Sequence, residues 1–227
     1  MNFFGFISTF ILFCLFYRFK NNKILKKIPI IVSTGVLLII ILKVFKIEYE
    51  AYFQSAQYLS FFIAPATISL AYPLFKNDHI LIKNKRILYS ALILGAFGAM
   101  LSTYFCAKLF NADFRVIMSL LPKSTTMPIA LEISKAIEGY EELTAFIVAL
   151  TGVLGGVFGH YILKLLRVKN DVAIGLALGS ASHVIGTAAC AEKKKDKQVA
   201  ASTVALIIVG ILSAIFIPLL KKLIIIN

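Results

Sequence analysis

Long apolar runs, interrupted only by short polar segments, fill most of this chain. Several approach the roughly 20 residues that a helix needs to cross the hydrocarbon core of a bilayer, and 59% of the residues are hydrophobic against about 45–50% in soluble domains. The pattern therefore predicts an all-α, polytopic helical membrane protein with about 6–8 transmembrane segments. The apolar runs cover residues 3–17, 28–45, 56–75, 87–110, 143–166 and 199–220.

The formal net charge of +13 comes mainly from lysine and arginine in the short segments between the apolar runs. In membrane proteins such residues mark cytoplasmic loops, so the charge indicates topology and not a nucleic-acid partner. Segments 18–27, 76–86 and 164–169 are strongly basic and are predicted to be cytoplasmic. The N-terminus lacks a basic region and a small-residue cleavage site, which favours a first transmembrane helix over a signal peptide.

Two segments, residues 113–139 and 171–191, are too interrupted for simple membrane-crossing helices. With the basic loops inside, residues 113–139 must enter and leave the membrane on the outer side, turning near residues 122–128. The same logic makes residues 171–191 re-entrant from the cytoplasmic side, turning near residues 180–183, with a full crossing as the alternative. Interrupted segments between sound helices are typical of transporters built from inverted repeats, and we expect such a repeat here.

Small residues at helical spacing predict close helix packing at two places. Residues 152–159 contain two interleaved G-x-x-x-G pairs, and Gly95 and Gly98 lie among small neighbours in an earlier run.

Polar side chains in a membrane interior usually face a cavity or a partner. Lys123 lies among hydroxyl side chains just before Pro128, a good first-turn residue of a helix that Thr126 would cap. Helix N-terminal amides and an ammonium group together favour an anion. His183 lies among glycine and hydroxyl residues and is a candidate proton carrier or ligand-binding group. The candidate binding residues are Thr67, Lys123, Ser124, Thr125, Thr126, Ser182, His183 and Thr187.

Each of these clusters also has a purely structural interpretation. Thr67, between Pro65 and Pro73, also fits a packing kink in which hydroxyl groups satisfy freed backbone carbonyls. The Lys123 segment also fits a capped loop with a lysine that extends to the membrane interface. His183 also fits a hydrogen-bonded histidine that packs between helices.

Signatures of enzymes and metal sites are missing from the sequence. No nucleophile elbow, phosphate-binding loop or H-E-x-x-H motif occurs. Three scattered histidines and three widely spaced cysteines show no metal-ligand spacing. The sequence therefore predicts neither an enzyme nor a protein that binds a metal or cofactor.

Three short motifs, in this order, resemble those of the LrgB/CidB family of membrane proteins. They are Pro65-Ala66-Thr67 with Leu70-Ala71-Tyr72-Pro73-Leu74, then Pro122 to Ala130, then Ser182-His183 with Ile185-Gly186-Thr187-Ala188 and Glu192. The resemblance spans residues 58–219. It makes residues 58–220 an LrgB-like core that follows two N-terminal helices in residues 1–57, within a single integral membrane domain over residues 1–227. The family usually has glycine, arginine, threonine and arginine where this chain has Val184, Ala189, Met127 and Ile174.

The resemblance implies a multi-pass protein of the bacterial inner membrane. Members of that family are described as holin-like or antiholin-like and are linked to the control of murein hydrolases and autolysis. The plastid glycolate/glycerate transporter looks similar over the same region, and relatives are tied to pyruvate uptake.

We therefore expect a secondary transporter of small carboxylates, of the glycolate, glycerate or pyruvate type. Lys123, Thr125 and Thr126 would bind the carboxylate, and Ser182 and His183 would bind a hydroxyl group or a proton. The partners expected are a small organic anion with a coupled proton or sodium ion, further copies of the chain, and a small membrane protein of the LrgA/CidA type. A holin-like or antiholin-like regulator of murein hydrolase export and autolysis is the alternative function.

Overall fold

The computed structural model describes residues 3–19, 29–62, 65, 68, 71–76 and 85–226. Over these residues the chain is helical and contains no β-strand, which confirms the all-α class. The chain divides into two compact units, residues 1–72 and 73–227, and each is described by itself.

The first unit contains the two N-terminal helices that the apolar runs predict. They are α1 (Phe4–Arg18) and α2 (Ile30–Val44), with 15 residues each. At 1.5 Å per residue each is about 22 Å long, shorter than the roughly 30 Å hydrocarbon core of a typical bilayer. α3 (Tyr49–Ala56) and a 3-10 helix (Gln57–Phe62) follow.

A glycine lets α1 pack closely on α3. The backbone N–H of Gly5 donates to the hydroxyl of Ser55 at 2.9 Å, and a side chain at Gly5 would overlap the backbone of Tyr52. The hydroxyl groups of Thr9 and Tyr52 also share a hydrogen bond of 2.9 Å. These contacts fix the two helices against each other.

The second unit combines long apolar helices with pairs of short ones. A short helix, α4 (Ala71–Lys76), lies at its boundary with the first unit. The elements that follow are α5 (Lys85–Leu109), α6 (Phe114–Leu120), a 3-10 helix (Leu121–Ser124), α7 (Met127–Ala136), α8 (Glu141–Leu165), α9 (Asp171–Glu192) and α10 (Asp196–Ile226).

Residues 113–139, here called hairpin 1, begin and end at the same end of the second unit. α6 leads through the 3-10 turn into α7, which runs back. The Nε–H of Arg115 donates to the carbonyl of Glu138 at 3.0 Å, and the N–H of Tyr140 donates to the hydroxyl of Ser119 at 2.7 Å. These bonds join the beginning of the segment to its end, as expected of a re-entrant hairpin that turns at residues 121–126.

α9, here called hairpin 2 (residues 171–192), also folds back on itself. Its helical conformation breaks at Ser182 (φ −132°, ψ 15°) and His183 (φ 41°, ψ −129°). The backbone at Gly186 lies against the carbonyl of Leu178, whereas eight residues of straight helix would separate the two by about 12 Å. The break therefore reverses the chain direction.

The two ends of hairpin 2 also lie close together. A straight helix of 22 residues would hold its ends about 33 Å apart. Instead, the side-chain amide of Gln198 donates to Asp171 Oδ1 at 2.7 Å, and Lys195 Nζ lies 3.6 Å from Asp171 Oδ2. Asp171 thus lies beside the residues that directly follow hairpin 2. These contacts match the re-entrant interpretation and not the full crossing.

Each hairpin follows a long helix, and the two helix–hairpin units run in opposite directions. The end of α5, the open end of hairpin 1 and the start of α8 lie together at one end of the second unit. The end of α8 and the open end of hairpin 2 lie at the opposite end. α10 starts beside hairpin 2 and runs back to hairpin 1, where Lys221 Nζ lies 3.3 Å from Glu138 Oε2. This order of elements has the topology expected of an inverted repeat. Among the described residues, α5, α8 and α10 are unbroken helices long and apolar enough to cross a membrane, and α1 and α2 are shorter apolar helices.

The core of the second unit lies between α5, hairpin 1 and α10. Leu92, Met118, Ile137, Val209 and Ile217 are almost completely buried there. Helices in lipid gain little from the hydrophobic effect between themselves, so close packing and hydrogen bonds hold them together.

Glycines set the distance between hairpin 2 and its two neighbours. A side chain at Gly155 would overlap Ser182, and one at Gly159 would overlap a leucine of hairpin 2. On the other side, Gly175 and Gly179 lie against the backbone of α10. The close packing predicted for residues 152–159 is therefore confirmed.

Gly95 and Gly98 do not pack as the sequence suggests. A side-chain carbon at either position would meet nothing within 4 Å among the described residues. Both lie on a side of α5 that is turned away from the core of the second unit, so the expected close packing is wrong for this unit taken alone.

Candidate functional site

The tip of hairpin 1 carries the first group of candidate residues. Pro122 lies within its short 3-10 turn, and Thr126 is the residue that precedes α7, as predicted. Thr126 does not cap α7 through its side chain; the hydroxyl of Thr125 instead donates to the carbonyl of Thr126 at 3.3 Å. Ser124 and Thr125 are buried, whereas Lys123 and Thr126 are partly buried.

Lys123 is the cation of this tip. Its Nζ donates to the hydroxyl of Ser124 at 3.4 Å, and it forms no ion pair within the described part of the chain. A partly buried cation without a counter-charge attracts an anion, because pairing offsets part of its desolvation cost.

The tip of hairpin 2 carries Ser182 and His183, both buried. His183 has a positive φ that non-glycine residues rarely adopt. Its Nε2 lies 3.0 Å from the carbonyl oxygen of Val148 in α8. A carbonyl only accepts, so Nε2 carries the hydrogen, and in the neutral ring Nδ1 is an acceptor.

Nδ1 of His183 has no hydrogen-bond partner among the described residues, because the bond of the ring to Val148 uses Nε2 alone. It is therefore not completely buried, since no completely buried side-chain nitrogen or oxygen of the described residues lacks a partner. A strained backbone held by its surroundings is a recurring property of ligand-binding sites. The geometry thus presents one acceptor nitrogen at the chain reversal of hairpin 2.

Thr187 has a different role from the other candidates. Its hydroxyl donates to the carbonyl of His183 at 3.1 Å, and the residue is buried. The bond is the usual one of a threonine to the carbonyl four residues before it, and it fixes the hydroxyl of Thr187 beside the chain reversal of hairpin 2.

α8 brings the two tips together. The 3-10 turn of hairpin 1 contacts both α8 and hairpin 2. A side-chain carbon at Gly152 would lie 2.7 Å from His183 Cε1, so α8 approaches the imidazole without a side chain between them. The 3-10 turn that holds Lys123 and Ser124 therefore contacts hairpin 2, the hairpin that carries Ser182 and His183. Thr67 lies outside the described residues.

Sequence reasoning missed the part that α8 plays in this site. Val148 acts through its backbone carbonyl, which no residue type reveals. The sequence identified Gly152 and Gly155 as packing residues but did not show that they contact His183 and Ser182. The interleaved glycine pairs indicated a groove on α8, and such a groove must pack against another element of the fold.

A comparison with protein families matches residues 7–223 to the LrgB-like family. The chain belongs to the LrgB family. The match includes most of α1, both hairpins and most of α10, so the candidate residues of both hairpins lie within the LrgB region. Val184 and Ala189, where the resemblance led us to expect glycine and arginine, both lie in hairpin 2; Val184 is exposed and Ala189 is buried.

Individual relatives agree with the LrgB assignment. The chain is 35% identical over 201 residues to the antiholin-like protein LrgB of Bacillus mycoides, covering 88% of this chain and 87% of the relative. It is 32% identical over 202 residues to the uncharacterized protein YxaC of Bacillus subtilis, covering 87% of each. An uncharacterized protein of Haemophilus influenzae is 35% identical over 193 residues, 85% of this chain and 83% of the relative. No solved structure matches the chain.

Proposed function

We propose that this LrgB-family membrane protein is a secondary transporter of small carboxylates, of the glycolate, glycerate or pyruvate type, in the bacterial inner membrane. The observation that carries the proposal is the meeting of two oppositely directed hairpins whose tips hold Lys123 and His183. Discontinuous helices that meet between inverted repeats are the usual place of substrate sites in such transporters.

The tip of hairpin 1 is suited to the carboxylate. Lys123 supplies the positive charge, and the N-terminal amides of α7 and the Thr126 hydroxyl supply donors for a second oxygen. Ser124 lies against Lys123 and orients its ammonium group.

The tip of hairpin 2 is suited to the other end of the substrate. His183 Nδ1 accepts a hydrogen bond from a hydroxyl group or takes up a coupled proton. Ser182 offers a hydroxyl next to it. Whether the coupling ion is a proton or sodium is decided by measuring uptake under an imposed gradient of each ion separately.

Transport then requires the site to open to each side in turn. Hairpin 1 opens on the end of the second unit that carries Glu138 and Lys221, and hairpin 2 opens on the end that carries Lys164 and Arg167. By the positive-inside tendency the second end is cytoplasmic. Movement of the hairpins against α8 exposes the tips to one side or the other. In this mechanism the protein performs no covalent chemistry and is not an enzyme.

The test is uptake of labelled glycolate, glycerate and pyruvate into proteoliposomes. Lys123→Ala removes uptake, whereas Lys135→Ala, a matched loss of charge at an exposed lysine of the same hairpin, leaves it intact. A folded preparation that takes up none of the three compounds rules the transporter out.

The second candidate function is an antiholin-like regulator of murein hydrolase export. It is favoured by the name of the Bacillus mycoides relative and by the open side of α5 at Gly95 and Gly98, which would accept another copy of the chain or a small membrane protein of the LrgA/CidA type. Such a role needs assembly and not the polar tips. Leakage of large dyes that survives both Lys123→Ala and His183→Ala would favour it.

A further inference from the structure

A chain of hydrogen bonds crosses the mouth of hairpin 2, the end at which this hairpin begins and ends. His160 of α8 contacts Gln198 of α10 through Nε2 and Oε1, which lie 3.0 Å apart. The side-chain nitrogen of Gln198 donates to Oδ1 of Asp171, the first residue of hairpin 2, at 2.7 Å. One buried amide, 4% exposed, thus joins α8, hairpin 2 and α10.

The chemistry of the three side chains fixes the direction of each bond. Asp171, whose other oxygen lies 3.6 Å from Lys195 Nζ, only accepts as a carboxylate, so the nitrogen of Gln198 faces it and the oxygen of Gln198 faces His160. That oxygen also accepts, so Nε2 of His160 carries the hydrogen. Both ends of the buried amide are satisfied, and removing either partner leaves one of them unpaired at a cost in free energy.

The chain lies where hairpin 2 enters the groove of α8. Gly159, next to His160, lies against the side chain of Leu178, which is only 2% exposed. A path from the mouth to the tip along this face therefore opens only when hairpin 2 moves away from α8. If α10 moves with hairpin 2, the bond of Gln198 to His160 breaks; if α10 stays, the bond to Asp171 breaks.

We propose that the His160–Gln198–Asp171 chain is a latch that holds the mouth of hairpin 2 closed and breaks when the site opens to the cytoplasmic side. The latch is separate from the candidate binding residues, since His160 follows Val148 by twelve residues, about 18 Å along α8. Its link to transport rests on the proposed function. The latch itself is measurable in a protein that transports nothing.

The reactivity of a single cysteine measures the latch. In a chain whose three native cysteines are replaced, Leu178→Cys lies behind the latch and reacts with a membrane-impermeant thiol reagent on the cytoplasmic side when the mouth opens. We expect His160→Leu to raise this rate about tenfold, because the Gln198 oxygen loses its partner in the closed state. Gln198→Leu also raises it, and adding His160→Leu to Gln198→Leu changes nothing further, since their bond is already lost.

Three controls separate a broken latch from a damaged protein. His160→Gln keeps an N–H donor near the position of Nε2 and retains slow labelling. Tyr161→Leu, next to His160 but 68% exposed, leaves the rate unchanged. Ala130→Cys, a second reporter at a completely buried residue of hairpin 1, stays unreactive when His160→Leu is added, which excludes general unfolding.

Three results overturn the proposal: a rate with His160→Leu equal to that with Tyr161→Leu, a rate with His160→Gln equal to that with His160→Leu, or a matching rise at Ala130→Cys. If His160→Leu speeds labelling and the parent protein takes up no carboxylate, the transporter proposal falls while the latch stands. If the parent takes up carboxylate and labelling is unchanged, the latch falls while the transporter stands.

Discussion

The imidazole of His183 donates from Nε2 to the carbonyl oxygen of Val148 over 3.0 Å, across the gap between hairpin 2 and α8. The bond holds the ring at the point where the chain reverses, and it does so in a backbone conformation that glycine adopts far more readily. A residue with a side chain at this position therefore strains the backbone, and the folded protein keeps that strained conformation at the tip of hairpin 2.

The first prediction concerns that cost. In regular helix, glycine is less stable than alanine by about 1 kcal/mol. At His183 the order reverses: His183→Gly unfolds at a higher temperature than His183→Ala, with a difference of about 1 kcal/mol, because alanine is strained at φ 41°. Thermal unfolding in detergent measures the pair.

Ala173, in the first half of the same hairpin, supplies the control for this reversal. There Ala173→Gly lowers the unfolding temperature, as it does in any helix. A higher unfolding temperature for His183→Ala than for His183→Gly would mean that hairpin 2 is not broken at this residue.

The second prediction concerns the groove of α8. Gly155→Ala places a methyl group onto Ser182 and forces hairpin 2 away, at a cost of about 1–3 kcal/mol. Adding Ser182→Gly removes the colliding atoms and restores most of the lost stability. Gly98→Ala has open space around it and leaves the unfolding temperature unchanged or raises it, since alanine favours helix. Equal effects of Gly155→Ala and Gly98→Ala would contradict this packing.

The third prediction concerns topology. In a chain whose Cys14, Cys106 and Cys190 are replaced, single cysteines at Asn170 and Lys195 react with a membrane-impermeant reagent from the same side of the membrane. A cysteine at Glu138, at the mouth of hairpin 1, reacts from the other side. The reason is that both ends of hairpin 2 meet at Asp171. Labelling of Asn170 and Lys195 positions from opposite sides would mean a full crossing.

The fourth prediction concerns the charge at the tip of hairpin 1. Lys123 forms no ion pair within the described residues, so its charge is available to a carboxylate. Lys123→Gln therefore raises the Kd for glycolate about tenfold or more, because a charge-assisted pair is lost, whereas Lys123→Arg keeps the charge and binds more tightly than Lys123→Gln. Equilibrium binding of labelled glycolate in detergent measures the three affinities. A Lys123→Gln protein with the affinity of the parent contradicts the role of Lys123.

The parts of the fold that depend on hydrophobicity and charge were predictable from the sequence. The apolar runs located α5, α8 and α10, and the basic loops required residues 113–139 to return to their starting side. The topology was predictable from the sequence because basic loops stay in water, preferentially on the cytoplasmic side of the membrane.

The parts that sequence reasoning missed depend on backbone geometry. Nothing in the residue type of His183 indicates a positive φ. The glycines at positions 179 and 186 pack against α10 and Leu178 instead of forming the break. Thr126 was expected to cap α7 through its hydroxyl but does not.

The packing of the first half of hairpin 2 against the start of α10 has a consequence for the order in which the protein assembles. Gly175 and Gly179 find their partners at Gln198 and Ser202, which are synthesised after the whole of residues 171–192. During translation the hairpin therefore leaves the ribosome before the surface that receives it. Its final position is reached only after α10 has entered the bilayer, so maturation of this half of the molecule is a late event in its biogenesis.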